Sequence, residues 1–372
     1  MAPSANKKFR VLIVDDSAFM RKVLEQIFNA DQQFQVAGHA KDGREAVSLA
    51  ESLKPDLITM DINMPHMDGL QATSQIMTAN PRPIVIVSSE SKEGAASTLK
   101  ALELGAIEFI AKPSSGVDLD MHSVKDDLLR KSRMAAKVRV VRTASRLASS
   151  VQNLKSDAAP AAPAKRTAQS VAPDHFPIVV LAASTGGPAT LMRLAPGFTR
   201  DFPAAVIVVQ HMPAAFTTQY AAQLAEFTSI RVKEAENGDA LQPGTLYICP
   251  GAQHLKVLSS GKIQLDGKSG RINGYLPNID ITMESVAAYA GPISIAAVLT
   301  GMGNDGANGA KAIKSAGGLV LAQDEATCVI FGMPAEAIKA RAVDKVLPID
   351  DIYPAIEKQV LAICKTAPVG VT

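Results

Sequence analysis

Ser184, His211 and Asp305 each stand where a run of β-branched and apolar residues stops. PIVVLAA leads into the serine, PAAVIVVQ into the histidine and PISIAAVLTGMGN into the aspartate. A hydroxyl, an imidazole and a carboxylate are what acyl transfer uses as nucleophile, base and orienting acid. In an open parallel α/β sheet such groups meet in the crevice outside the carboxyl ends of the strands. A second set points to different chemistry. Asp15 and Asp16 follow one strand-like run, Asp61 another, and Lys112 a third. Carboxylates gathered at one edge repel one another, and a hard divalent cation such as Mg2+, which takes oxygen ligands, relieves the repulsion. A lysine beside them offsets charge on a phosphoryl group, which casts Asp61 as a nucleophile that forms an acyl phosphate.

Taken singly, each residue also has a plainer role. Asp16 after a strand would cap the next helix, and Ser184 or Thr185 would do the same. His211 would be a packed histidine, and Asp305 a solvated acid in a flexible turn. The conjunction favours chemistry: one nucleophile, one base and one acid are expected on a single sheet edge.

The elements that must position these groups are legible as alternation. From Phe9 to about Lys137, strand-like runs (FRVLIV, FQVAGH, PDLITM, PIVIVS, AIEFIA) alternate with helical periodicity, as in SAFMRKVLEQIF and GREAVSLAESL. Five such repeats imply a doubly wound parallel sheet. From Phe176 to about Ile363 a second α/β domain with a mainly parallel sheet is expected, with residues 230–274 forming shorter, hairpin-forming strands. Between them TASRLASSVQNLKSDAAPAAPAKRTAQSVAPD, rich in Ala, Ser and Pro, reads as a flexible linker. The expected domains are therefore 1–138 and 176–372, with a linker over 139–175.

Composition narrows the classes. Of 372 residues 47% are hydrophobic and 20% charged, enough for two sizeable cores. Aromatic residues make up 4% with no Trp, and the net charge is +2, so no nucleic-acid partner is expected. The first strand-like run, VLIV, is too short for a signal-peptide core or a membrane span, so a cytoplasmic protein without membrane insertion is expected. Three cysteines, Cys249, Cys328 and Cys364, lack metal-ligand spacing and read as reduced thiols.

A competing reading exists for the glycine-rich turn. Gly301, Gly303 and Gly306 satisfy the dinucleotide-binding pattern after a strand and before a helix, and Asp324 follows about 20 residues on. Against it, Asp305 would place a carboxylate beside a pyrophosphate, and Ser184 and His211 would have no role.

The segments VDDSAFMR, MDINMPHMDG, IVSSE and FIAKP resemble, in order and spacing, the two-component receiver family, which is flavodoxin-like. The resemblance implies that Asp61 is the phosphoacceptor, that Asp15 and Asp16 hold Mg2+ with it, and that Lys112 contacts the phosphoryl group. Ser88 would be the hydroxyl switch and Phe109 the aromatic switch position. Over nearly the whole chain, ASTGGP, VVQHMPAAFT, VKEAENGD, YICPGAQH, LTGMGNDGANG and AQDEATCVIFGMPAEAI resemble the chemotaxis response regulator protein-glutamate methylesterases of the CheB type. That resemblance implies a catalytic triad of Ser184, His211 and Asp305, with Thr185 and Met302 lining the site and no cofactor in the catalytic domain. It implies demethylation of glutamate methyl esters, and deamidation of glutamines, on methyl-accepting chemoreceptors. A chemotaxis histidine kinase would be the phosphodonor, the unphosphorylated receiver would obstruct the crevice, and the chain would act as a monomer.

The sequence departs from that pattern in INGYLPNID. Tyr275 and Leu276 stand where histidine and arginine are expected, Asn278 replaces serine, and Ala182 stands where glycine is common. These changes alter the rim of the site, where receptor choice would be read. An adaptor that performs no chemistry is disfavoured by the intact Ser, His and Asp set, and a transcriptional output by the lack of a helix-turn-helix and a basic face.

Overall fold

The computed structural model describes residues 8–88, 92–112, 120–138 and 176–366. The chain divides into two compact units, Met1–Ala144 and Ser145–Thr372. The linker expected over 139–175 lies outside the described residues.

The first unit is a five-stranded parallel sheet of β1 (Phe9–Val14), β2 (Phe34–Ala40), β3 (Leu57–Met60), β4 (Ile84–Ser88) and β5 (Glu108–Ala111), in the order β2-β1-β3-β4-β5. Helices follow the first four strands at Ala18–Asn29, Gly43–Leu53, Gly69–Ala79 and Lys92–Glu103. Short polar residues start the first three. Ser17 accepts from the Met20 N–H, Asp42 from those of Arg44 and Glu45, and Asp68 from that of Gln71, filling orphan donors of each first turn. Ser17, not Asp16, is thus the cap after β1.

In the second unit β6 (Ile178–Ala183), β7 (Ala205–Gln210), β8 (Arg231–Glu234) and β9 (Thr245–Ile248) join β12 (Ser294–Val298), β13 (Leu319–Gln323) and β14 (Lys345–Leu347). They form a seven-stranded parallel sheet ordered β14-β13-β12-β6-β7-β9-β8. Every residue of β6, β7 and β12 is buried, as strands covered by helices on both faces must be. Burying each Val or Ile there contributes about 1.5–3 kcal/mol, which fixes the register of the strand ends.

The expectation of hairpins over 230–274 holds only in part. β10 (His254–Val257) and β11 (Ile263–Asp266) form an antiparallel hairpin, and Ile272 bridges Tyr275. β8 and β9 instead pair parallel and extend the main sheet. A ten-residue connection carries the chain back to begin β9 beside β7, so apolar TLYI is buried under the sheet's edge rather than turned back on β8.

Candidate functional site

Both units collect their polar side chains where the chain changes direction across its sheet. In the first, β1 and β3 are neighbours whose connections leave to opposite sides; in the second, β6 and β12 are. No strand connection covers such a point, so a crevice opens there.

In the first unit, carboxylate oxygens of Asp15, Asp16 and Asp61 lie within 4.8 Å of one another. Asp15 and Asp61 are buried and Asp16 is exposed. The Lys112 ammonium, brought by the end of β5, is 3.0 Å from Asp15 Oδ2 and 2.9 Å from Asp61 Oδ2. Burial pulls the lysine pKa down, but the hydrogen bond and charge of Asp61, joined by Asp15, outweigh it and hold the ammonium above its ordinary value. Asp61 is raised as well, first by burial and then by the Asp15 charge, which together exceed what Lys112 and the Ile62 N–H return. Both rise because one ammonium serves two buried carboxylates: the cation is well met, and the negative charge is only partly offset. Asp15 Oδ2 is buried with no hydrogen bond of good geometry. Hard oxygen donors and two buried carboxylates sharing one ammonium, with surplus negative charge, fit a divalent cation such as Mg2+. Ser88 is buried on β4, and its carbonyl accepts the Lys112 N–H at 2.7 Å. Phe109 is buried on β5 under the Lys131 ammonium, 5.3 Å from its ring centroid.

In the second unit Ser184 and His211 directly follow β6 and β7, while Asp305 lies seven residues beyond the end of the neighbouring β12, in the loop before the helix Ala307–Ser315. The His211 N–H donates to the Ala183 carbonyl at 3.1 Å and that of Ser184 to the Thr300 carbonyl at 3.0 Å, so the three loops are tied at their roots. His211 Nε2 lies 2.8 Å from Asp305 Oδ2. A carboxylate only accepts, so Nε2 carries the proton and Nδ1 of the neutral ring is left as the basic nitrogen. Asp305 is buried and also accepts the N–H groups of Ile279 (2.8 Å) and Asp280 (3.1 Å), the first of the helix Ile279–Ala290. Its negative charge therefore rests on the positive end of a helix.

Asp280 returns the arrangement. Its buried Oδ1 accepts the N–H groups of Gly306 (2.9 Å) and Gly309 (2.7 Å), opening the helix Ala307–Ser315. Burial raises its pKa against the pull of Gly309, and the Asp305 charge adds to the rise. This pair also answers the dinucleotide reading, because a carboxylate already occupies the helix start where a pyrophosphate would bind. Asp324, the other half of that reading, is spent locally on the Thr327 N–H and hydroxyl.

Ser184 is no cap: Gly186, at φ 76°, holds the N-cap position of the helix Gly187–Leu194 without a side-chain bond. Among the described residues neither the Thr185 nor the Gly186 N–H donates a hydrogen bond, so both remain for an oxyanion. Thr185 is buried with its carbonyl on the Thr300 hydroxyl at 3.0 Å, and Met302 is half-buried on the loop after β12.

Sequence reasoning missed the supports. The buried Gln210 amide donates to the carbonyls of Ser184 (2.9 Å) and His211 (3.1 Å), pinning nucleophile loop to base loop. A side chain at position 187 would strike the Gln210 Oε1, which is why glycine stands there. Gln323 accepts the Thr300 N–H at 2.9 Å one strand further on. Glutamine as the last residue of an apolar strand was the available signal. Tyr275 stacks on the His211 ring, with centroids 4.8 Å apart and planes at 16°. Burial pushes the Cys328 thiol up to about 12 and raises those of Cys249 and, though it is exposed, Cys364.

Comparison with known proteins agrees with this division. The family models "CheB methylesterase" and "Response regulator receiver domain" match residues 179–356 and 11–123. A protein-glutamate methylesterase/protein-glutamine glutaminase of Pyrococcus horikoshii is 42% identical over 362 residues, 96% of this chain and 95% of its own. Proteins of the same name from Thermotoga maritima and Symbiobacterium thermophilum are 43% identical over 346 residues (92% of this chain, 96% of theirs) and 40% over 363 (97% and 99%). With relatives of that similarity matched along nearly its full length, the chain belongs to the CheB methylesterase family and joins a receiver domain to a CheB catalytic domain.

Proposed function

We propose that the chain is a phosphorylation-activated hydrolase that demethylates glutamate methyl esters, and deamidates glutamines, on the cytoplasmic helices of chemoreceptors. The observation that carries this is the His211 Nε2 contact with a carboxylate that two helix N–H groups already hold, because it leaves Nδ1 as the basic nitrogen. His211 takes the Ser184 Oγ proton as that oxygen attacks the γ-carbonyl of the ester. The Thr185 and Gly186 N–H groups receive the oxyanion. The imidazolium returns its proton to the leaving methoxide, so methanol departs and a glutamyl ester remains on Ser184. Water activated by the same nitrogen then releases glutamate and free serine. With glutamine, ammonia leaves in place of methanol. Asp305 keeps the proton on Nε2 and stabilises the imidazolium without accepting its proton.

Asp61 takes a phosphoryl group from a chemotaxis histidine kinase. Asp15, Asp16 and Asp61 would hold Mg2+, which supplies positive charge against the phosphoryl oxygens. Lys112 provides a second positive charge, and Ser88 and Phe109 respond to the modification. Residues 1–138, 139–175 and 176–372 serve as receiver, tether and catalytic domain of a cytoplasmic enzyme. Among the described residues no helix is long and apolar enough to cross a membrane. Methanol release from methylated receptor tests the reading in Ser184→Ala and in the parent chain, with and without phosphodonor. Turnover should fall by a factor on the order of 10⁴ or more in the variant, and rise with phosphodonor in the parent; substantial release by the variant would sink it.

A further inference from the structure

Tyr275 touches the His211 ring yet takes no part in the steps above. It ends a tight hairpin in which Ile272 and Tyr275 exchange both backbone hydrogen bonds at 3.0 Å. Asn273 and Gly274 turn the chain with φ of 53° and 88°, the pairing that such a two-residue turn demands. The hairpin is anchored on buried His254, whose Nε2–H donates to the Gly270 carbonyl (2.8 Å) while its Nδ1 accepts the Asn278 N–H (3.1 Å). The Asn278 amide adds a bond to the Ile272 carbonyl at 3.3 Å. The far edge of the tyrosine is fixed as well. Its hydroxyl lies against Gly303, at φ 96°, where any side chain would collide with it. The ring is therefore wedged between the imidazole and the loop that carries Met302 and Asp305.

A histidine held by one hydrogen bond can still swing about its Cβ–Cγ bond. A flat ring pressed on its face removes that freedom, since rotation out of plane drives the imidazole into the tyrosine. Such aromatic pairs are worth roughly 0.5–1.5 kcal/mol. The negative face of the tyrosine also favours the ring once it has become a cation. We propose that Tyr275 is a positioning residue for His211, holding the imidazole with Nε2 on Asp305 and stabilising the imidazolium of each acyl-transfer step. The inference rests on the triad reading of the same site.

Full-length Tyr275→Leu, Tyr275→Phe and Ser184→Ala, each supplied with phosphodonor, are compared with the parent by two measurements. One is methanol release from methylated receptor, and the other is the rate at which a small fluorophosphonate labels Ser184. Tyr275→Leu is expected to lower kcat and labelling together by about 10-fold, the upper end of what a stacked pair contributes, with KM unchanged. Tyr275→Phe keeps the ring and should recover most of both. A rise in KM alone, with labelling intact, overturns the proposal and makes the ring a receptor contact. Equal losses in the Leu and Phe variants overturn it too, because the hydroxyl on Gly303 would then carry the effect. Should Tyr275→Leu fail to fold by circular dichroism, Tyr275→Phe and Tyr275→His decide, as both retain a flat ring. Near-parent labelling in both, at a pH where histidine is neutral, supports the stack, and its loss in either refutes it. Ser184→Ala separates the two failures: methanol release by that variant sinks the triad itself, whereas an inert Ser184→Ala beside a fully active Tyr275→Leu sinks only the positioning role.

Discussion

Asp61 and Asp305 are both buried carboxylates at the switch point of a parallel sheet, but their charges are met in different ways. Asp305 faces a protonated imidazole nitrogen and two N–H groups at a helix start, all part of the folded scaffold. Asp61 faces one ammonium that it shares with Asp15 and the N–H of Ile62, and burial still raises its pKa. Backbone dipoles are permanent and need no partner to arrive, which suits a group that must orient a base in every turnover. A site left with surplus negative charge suits the opposite task, because a cation can relieve it and a phosphoryl group can change it. The contrast is between a scaffold that is already complete and one poised to respond.

The comparison breaks most visibly at Asp305. Asp305→Asn offers an amide that can donate to Nε2 and so favour the wrong tautomer, and kcat for methanol release should fall by a factor on the order of 10⁴. A loss under tenfold would mean that the helix start, rather than the carboxylate charge, orients His211. On the receiver side, Lys112→Met leaves two buried carboxylates without their ammonium. Urea denaturation at neutral pH should show the receiver destabilised by about 3 kcal/mol, and an unchanged midpoint would refute the shared-ammonium account.

Asp280→Ala sharpens the contrast inside the catalytic unit. It strands the buried Gly306 and Gly309 N–H groups and should cost about 2 kcal/mol of stability, with a loss of turnover as the Asp305 loop loosens. Equal stability of variant and parent would show the reciprocal caps to be dispensable. The smallest effect is expected at Asp61→Asn, which removes a carboxylate whose pKa is raised on folding. The folded state therefore binds more protons than the unfolded chain from about the ordinary Asp value of 3.8 up to the raised one, and stability falls as pH rises through that window. The variant should melt a few degrees higher at neutral pH, with the gain vanishing as pH approaches 3.8. A gain that grows on acidification would reverse the sign of the argument. The same variant should incorporate no phosphoryl group from a small phosphodonor.

Much of the fold was legible because parallel strands covered on both faces are continuous apolar runs. FRVLIV, IVVLAA, AVIVVQ and SIAAV are strands in place. The error over β8 and β9 has a physical origin. A four-residue run such as RVKE, with none of its residues buried, carries no mark of whether it pairs with the next strand or follows it across the sheet. Gln210, Gln323, Thr300 and Asp280 were passed over for a related reason. Each acts through backbone groups of a loop distant in sequence, and a single side chain does not reveal which carbonyl or N–H it will meet. Tyr275 was noted only as a departure at the rim, since stacking on His211 needs a hairpin that closes over 64 residues from it.

The sequence by itself determined which chemistry was available: a hydroxyl, an imidazole and carboxylates at strand ends, because strand length and alternation are local properties written in side-chain type. The tertiary structure decided how each charge is compensated and which imidazole nitrogen is basic. In the first unit that depends on a lysine, and in the second on helix starts and a tyrosine, each brought to its site from a remote segment of the same unit, and electrostatic energy follows distance in space rather than position along the chain.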